Sequence, residues 1–503
     1  MNITDLIRNV FAHRIRAFER YASEPGRIQE DVLRKLVAEA ENTEWGKKYS
    51  YSSIKSSDDF STGVPVNDYE SLKPYVERMR HGEQNLIWPS KVDWYAQSSG
   101  TTNDKSKYIP VTAEGLKNIH YKGGADCVAA YLDINRESRF FSGKGLILGG
   151  SFNKDANPDG SRTGDLSAVL MQNINPLVNM IRVPSKEVAL LSNWEEKIGR
   201  LAAGTMNEHV TNLSGVPSWM LVVIKKVLEL KGVDTVEQVW PDLEVFFHGG
   251  VSFAPYREQY KSLIRSDRMH YVETYNASEG FFGIQTDLSD PSMMLMIDYD
   301  VYYEFIPMDE FGKEHPQTRK LTEVELGKNY AMLITTSCGL WRYMIGDTVM
   351  FTSRNPYKFK ITGRTKHFIN AFGEELIVDN AEKGLMAACR ATGAQVLEYT
   401  AAPVFMDDKG KCRHQWLVEF SVMPDSVEHF ASVLDDTLKE VNSDYEAKRT
   451  ADIALQPLEV VVARKDLFHD WLASKGKLGG QHKVPRLSNG REYMDKLLEM
   501  NKS

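Results

Sequence analysis

Three short stretches of the chain hold groups that could bind and activate a nucleotide. The first is Ser98-Ser99-Gly100-Thr101-Thr102-Asn103-Asp104-Lys105-Ser106-Lys107, which crowds hydroxyls, a glycine and two lysines into ten residues. Hydroxyl and backbone N–H groups of a loop can cradle phosphate oxygens while a lysine offsets their charge. The spacing G-x-x-x-x-G-K-[ST] is absent, so this is no P-loop, and a solvated Ser/Thr turn explains the composition equally well. The second is Tyr275-Asn276-Ala277-Ser278-Glu279-Gly280, which follows a strand-like run from Met269 to Glu273. A carboxylate at a strand end can hold Mg²⁺ through one oxygen, because Mg²⁺ keeps its waters and shares phosphate oxygens. A solvated Glu at a strand-to-loop transition is the plainer alternative. The third is Leu340-Trp341-Arg342-Tyr343-Met344-Ile345-Gly346-Asp347-Thr348-Val349, where Gly346-Asp347 interrupts a strand-like stretch. An Asp there can accept two hydrogen bonds from a ribose diol, although Gly-Asp is also an ordinary turn pair.

The elements that must position these groups follow from periodicity and punctuation. The first 90 residues or so read as helices, with apolar residues at helical intervals across 31–38. Residues 145–149 form a short apolar run between glycines, as in a buried strand. Pro217 to Leu230 reads as a helix, with Pro in its first turn and Gly232 just past its end. Leu243 to His248 is strand-like and stops at Gly249-Gly250, and Met294 to Ile306 predicts one long strand or a hairpin. Beyond 365 the order is helix 378–392, strands 396–405 and 415–422, helix 426–441 and strand 458–463. The fold class predicted is α/β: a large N-terminal domain over 1–364 and a small, mobile α+β lid over 365–503. The boundary falls near Thr362-Gly363-Arg364-Thr365, with a cleft expected between the lobes.

Composition narrows the function. The 503 residues exceed what one core usually holds. Against 69 acidic side chains stand 61 Lys and Arg, a net charge of −8, which suits neither nucleic acid nor an anionic membrane as partner. Cys127, Cys338, Cys389 and Cys412 form no C-x-x-C pair, and the twelve histidines show no H-E-x-x-H spacing. A zinc site or disulfide framework is therefore not expected. The N-terminus lacks the apolar stretch of a signal peptide, and apolar runs such as 219–224 are too short to span a bilayer. A cytoplasmic protein is expected. Nothing demands an obligate partner, so a monomer is the expectation and the oligomeric state stays open.

The order of the three stretches, followed by Gly363-Arg364 and a small C-terminal domain, resembles the layout of adenylate-forming enzymes. More closely, the chain resembles the plant-type acyl acid–amido synthetases, the Gretchen Hagen auxin-responsive family within the firefly-luciferase-like superfamily. Residues 213–220, Trp240-Pro241-Asp242-Leu243, Phe247-His248-Gly249-Gly250 and Gln481-His482-Lys483-Val484-Pro485-Arg486 look like that family too, so the resemblance runs from about 80 to 490. It implies a two-step ligase. A small carboxylic acid attacks the α-phosphate of ATP, pyrophosphate leaves, and an amine, commonly an amino acid, displaces AMP to form an amide.

On that resemblance Ser98, Ser99, Thr101, Thr102 and Lys107 hold the β- and γ-phosphates, and Glu279 holds Mg²⁺. Ser278 lies beside the α-phosphate, and Tyr275 and Ala277 lie along the nucleotide, Tyr275 stacking on adenine. Gly249 and Gly250 let backbone approach the ring, and Asp347 takes the ribose hydroxyls. Arg364 marks the hinge about which the C-terminal domain turns, bringing Lys483 toward the α-phosphate. Plainer readings exist for both, a strand-end salt bridge for Arg364 and a surface lysine for Lys483. Asn103-Asp104 stands where many relatives have glycines. Met344 stands where they often have Arg, so any charge role either falls to Arg342 or is missing. The acyl pocket would lie between 217–220 and 249–253 and suits an apolar or aromatic acid, though core packing would suit the same residues. His209 and His248 read as packed or solvated histidines rather than substrate contacts. Transfer of the acyl group to a thiol such as coenzyme A is the alternative chemistry. A nucleic-acid regulator is the alternative class, and the net charge speaks against it.

Overall fold

The computed structural model describes residues 3–98, 107–153, 156–250, 253, 256–365, 368–369, 374, 376–404, 413–442, 445–446, 449, 455–475, 484–488 and 490–502. The chain divides into two compact units, one of residues 1–345 and 349–360, the other of 346–348 and 361–503.

The first unit is built on a twelve-stranded sheet. Its order begins Arg319–Lys320, Val301–Pro307, Asn329–Thr336, Tyr343–Arg354, Tyr357–Arg364 and Met293–Leu295. It continues through Gly280–Gln285, His270–Ala277, Val245–His248, Val210–Gly215, Lys144–Ile147 and Arg182–Val183. From Arg182–Val183 to His270–Ala277 the neighbours run parallel. At His270–Ala277 the sense reverses, because that strand pairs antiparallel with Gly280–Gln285. In the parallel half, helix Pro217–Lys231 carries the chain from one strand to the next. It starts with Pro and stops at Gly232, which has φ +65°. Its buried Met220, Ile224 and Val227 pack with Leu213 and Phe246 of the sheet. Parallel strands are covered on both faces, which is why 245–248 reads as a continuous apolar run.

The run from 294 to 306 is neither one strand nor a hairpin. Met293–Leu295 pairs with Gly280–Gln285 and Tyr357–Arg364, whereas Val301–Pro307 pairs with Asn329–Thr336 and Arg319–Lys320. The intervening residues leave the sheet to meet charges on the N-terminal helices Ile3–Ser23 and Pro25–Ala40. Arg14 donates to both oxygens of Asp298 (2.7 and 3.0 Å) and to both of Asp126 (2.8 and 2.7 Å). Tyr21 also donates to Asp298, and Tyr299 donates to Asp126 at 2.9 Å. Lys35 pairs with Asp300 at 2.8 Å. Half-buried charges cost several kcal/mol unless paired, and that requirement overrides the strand propensity of the run.

The second unit has a three-stranded sheet in the order Gln395–Val404, Arg413–Val422, Glu459–Val462. The first pair is antiparallel and the second parallel. Helices Val378–Thr392 and Val427–Val441 contribute Leu385, Ala388, Phe430, Leu434 and Leu438 to a core shared with Tyr399 and Trp416 of the sheet. Gly393, φ +67°, ends the first helix, and Ser426 caps the second through the His429 N–H. Among the described residues no helix is long and apolar enough to cross a membrane, and no group of three His, Cys, Asp or Glu side chains could hold a metal.

Candidate active site

In the first unit Gly249, Gly250, Ser278 and Glu279 lie just past the carboxyl ends of strands Val245–His248 and His270–Ala277, the end at which open α/β sheets bind ligands. Strand Val245–His248 ends at Gly249-Gly250. A Cβ on Gly249 would lie 2.3 Å from the Thr274 carbonyl oxygen, and Gly250 has φ +80°. Only glycine fits the first site, because backbone closes on backbone there. Thr274 also donates its hydroxyl to the His248 carbonyl at 3.1 Å. The glycine pair is thus locked beside the strand that carries Tyr275.

The second stretch is strand almost throughout. His270–Ala277 continues to Ala277, which pairs with Gly280, so Ser278 and Glu279 are the two loop residues of a tight hairpin. A register shift between Tyr275 and Asn276 puts a bulge just before the turn, a device that re-aims side chains. Loop residues of hairpins are usually solvated, yet Ser278 is 7% and Glu279 6% exposed. Mg²⁺ bound with phosphates needs only one or two protein carboxylates, and Glu279 is one such group. Tyr275 is also buried, its ring edge-on to Phe282 at 4.9 Å and tilted against Phe359 at 6.2 Å.

Sequence reasoning missed a neighbour of this hairpin. His120 lies in a π-helical segment, Leu116–Tyr121, and its Nδ1 meets Asn276 Oδ1 at 3.1 Å. Burial pushes its pKa down to about 4, and among the described residues its Nε2 has no hydrogen-bond partner. π-turns cluster at functional sites, but nothing in residues 116–121 announces one.

The first stretch is only partly in view. Residues 99–106 lie outside the described residues, and with them Ser99, Thr101, Thr102, Asn103 and Asp104. Its ends are the paired positions Ser98 and Lys107 of two antiparallel strands in a separate three-stranded sheet. The Lys107 ammonium lies 5.9 Å from the Tyr69 ring centre, and Tyr69 accepts from the Tyr108 N–H at 2.8 Å.

In the second unit Asp347 and Arg364 are brought together, Arg364 Nε donating to Asp347 Oδ1 at 2.7 Å. Gly346-Asp347 does not interrupt its strand, since Tyr343–Arg354 runs through both. Gly346 makes this possible by adopting φ +92°, and its carbonyl accepts from the Thr365 N–H at 2.8 Å. The pair Asp347–Arg364 is therefore anchored at both ends. Lys483 lies outside the described residues.

Arg342 does not take over a phosphate-facing charge. It is 4% exposed and makes a two-pronged bond to Glu304, each prong 2.9 Å. Its remaining donors reach the Ser61 and Val64 carbonyls and the Thr318 hydroxyl. Every guanidinium nitrogen is committed to the core. His209 is exposed and faces Asp242 at 2.9 Å. His248 is buried and stacks on Phe253 at 4.4 Å, with its pKa pushed down to about 3, chiefly by burial. Of the residues proposed for an acyl pocket, Met220 and Phe253 belong to one buried cluster with Phe246 and Tyr260, while 251 and 252 lie outside the described residues.

Within the first unit, a buried carboxylate and a backbone cradle that a Cβ would fill suit a Mg²⁺–nucleotide; within the second, Arg364 orients the Asp347 carboxylate. With a large sheet that switches sense and a small α+β second unit, this is the adenylate-forming class of fold. A solved 2-hydroxyisobutyryl-CoA ligase shares that fold with TM-score 0.54 at 14% identity, covering 100% of this chain and 94% of that one. The acyl acid amido synthetase AtGH3.15, solved with 2,4-DB, is more alike, with TM-score 0.79 at 20% identity over 97% of this chain and 95% of the other.

Family models match nearly throughout: the GH3 family N-terminal domain over 14–269, the central domain over 294–364 and the C-terminal domain over 379–492. The chain belongs to the GH3 family. Its curated relatives include the indole-3-acetic acid-amido synthetase GH3.3 of Arabidopsis thaliana, 24% identical over 93% of this chain and 90% of that protein. The 4-substituted benzoates-glutamate ligase GH3.12 of the same plant is also 24% identical, over 91% of this chain and 92% of that protein.

Proposed function

We propose that the protein is an ATP-dependent acyl acid–amido synthetase that joins a small carboxylic acid to an amino acid. The observation that carries this is the buried Glu279, in the two-residue turn that ends the strand on which the Gly249 backbone closes. The membership of the family and its acid-amido relatives support amide over thioester formation.

The acid's carboxylate oxygen attacks the α-phosphorus of ATP. The α–β phosphoanhydride breaks and pyrophosphate takes the electron pair. The amine nitrogen of an amino acid then attacks the acyl carbon, AMP leaves, and the amine proton passes to solvent or base. Mg²⁺, held by Glu279, would neutralise charge on the phosphate oxygens. Ser98, Ser99, Thr101, Thr102 and Lys107 are proposed to hold the β- and γ-phosphates, and Ser278 to lie beside the α-phosphate. Tyr275, its ring fixed by Phe282 and Phe359, and Ala277 are proposed to line the adenosine with Gly249 and Gly250. Asp347 would accept the ribose hydroxyls, with Arg364 orienting its carboxylate. Lys483 would stabilise charge developing at the α-phosphate. We propose a working division of the chain at 364/365.

The test is pyrophosphate release from Mg²⁺-ATP against indole-3-acetate, 4-substituted benzoates and other acids, with mixed amino acids or coenzyme A as separate arms. Release that requires an acid and turns over with an amino acid is expected. Turnover with coenzyme A alone would move the protein to the thioester branch.

A further inference from the structure

We propose that Arg182 is a buried binding site for a carboxylate carried by a small molecule, gripped by the Nε–Nη2 edge of its guanidinium. The site lies apart from the residues assigned to the nucleotide and does not depend on the ligase reading.

Arg182 stands on Arg182–Val183, the last strand of the twelve-stranded sheet. It is 5% exposed. Its Nη1 donates to the Pro184 carbonyl at 3.2 Å. Its Nε and Nη2 are buried, and among the described residues neither has a hydrogen-bond partner. Burial pushes its pKa down, and no acidic neighbour opposes the shift. The positions level with it on successive strands are Gly145, Asn212, Val245 and His270, none of them acidic.

The other sequestered arginines show what this edge holds elsewhere in the chain. In a guanidinium, Nε–H and one Nη2–H point the same way and match the two oxygens of a carboxylate. Arg14 meets Asp126 by this edge at 2.8 and 2.7 Å. Arg342 meets Glu304 by it at 2.9 Å for each bond. Arg449 meets Asp435 by it at 2.9 and 2.7 Å. Arg182 presents the same edge, also withdrawn from water, and no carboxylate among the described residues fills it. A charge buried without a counter-charge is costly, and so are donors left dry. One bound carboxylate offsets both, an oxygen on each donor. The way in is short. The turn before the strand, Pro176–Met180, buries no residue, and Ser185 just beyond it is exposed.

Arg182–Val183 lies three strands from Val245–His248, roughly 14 Å at the usual strand spacing. A carboxylate reacting with ATP beside Gly249 is therefore not the one held at Arg182. The group at Arg182 belongs either to a free small acid or to the far end of an extended substrate.

Two arms separate these sources. Melting temperature against added acetate, with chloride holding the ionic strength fixed, reads the first, because a ligand of the native state raises it. Wild-type protein is expected to show a saturable rise and Arg182→Gln none. Arg182→Lys should bind acetate more weakly by roughly tenfold or more, since lysine lacks the fork and loses a charge-assisted hydrogen bond. Arg182→Lys keeps the charge and carries the test if Arg182→Gln does not fold. Pyrophosphate release with dicarboxylic against monocarboxylic acids reads the second source. There KM for the diacid, and not for the monoacid, should rise about tenfold in the variants. A loss in either arm supports the site and names its source. Variants that match wild type in both arms would overturn it. The acetate arm needs no turnover, so its result stands even if the ligase reading fails.

Discussion

Glu279 sits in the two-residue turn of a hairpin and is only 6% exposed. A hairpin loop position is normally solvated, and sinking an ionised group there is costly unless something compensates the charge. Glu279→Ala is expected to slow adenylation by about 10²–10³, because losing a positioned charge-stabilising group costs roughly 2.7–4 kcal/mol. Pyrophosphate exchange at the wild-type rate would remove Glu279 from the site. Gly249→Ala should be as damaging by another route. Its Cβ would meet the Thr274 carbonyl at 2.3 Å, so two neighbouring strands must part, and both the melting temperature and ATP affinity should drop. Lost affinity with an unchanged melting temperature would show that the strands had not moved. At this scale the sequence revealed local placement, with Ser278-Glu279 at the end of one strand and Gly249-Gly250 at the end of another. Arg342 misled, because a charge beside a candidate motif looks the same in sequence whether it faces phosphate or is buried on Glu304. His120 was invisible, since its closeness to Asn276 arises from a π-turn and a sheet 156 residues away.

Elements carry consequences that no single side chain reveals. His120 and His248 are buried by two different elements, a π-helical turn and the end of a parallel strand, with pKa values pushed down to about 4 and about 3. Both lie below the ordinary value near 6.5, so the folded protein resists protonation where the unfolded chain accepts it. Their stability is fully present above about pH 6.5, is lost as pH falls, and changes no further below the folded values. Thermal melts from pH 7 to 4 should show a falling melting temperature, and His120→Asn with His248→Phe should flatten the slope. An unaltered slope would mean that other groups govern acid sensitivity. Arg342→Met should destabilise by about 3–5 kcal/mol, because Glu304 is left as a buried charge without its partner. A denaturant midpoint close to wild type would contradict that. Element boundaries were legible where Pro or Gly punctuates the sequence, as at Pro217 and Gly232 or at Gly393. They failed across 294–306, where β-rich composition hid two strands separated by a charged turn whose partners lie on the N-terminal helices.

At the scale of the whole molecule, the second unit recruits residues 346–348 from a strand of the first as well as 361–503. Proximity in the chain does not reveal such sharing, so a reading of the sequence yields one cut at 364. The bond from the Thr365 N–H to the Gly346 carbonyl belongs to this junction. Thr365→Pro deletes that donor and is expected to change the ratio of adenylation to amide formation. Equal changes in both half-reactions would argue against a hinge here. The Arg14 clamp bears on how the chain is made. Helix Ile3–Ser23 leaves the ribosome well before its partners, since Asp126 and Asp298 lie 112 and 284 residues further on than Arg14. At about 5–20 residues per second, synthesis of the later partner lags by on the order of tens of seconds. For that interval the helix lacks the carboxylates that clamp it, and its docking must wait for strands made long after it.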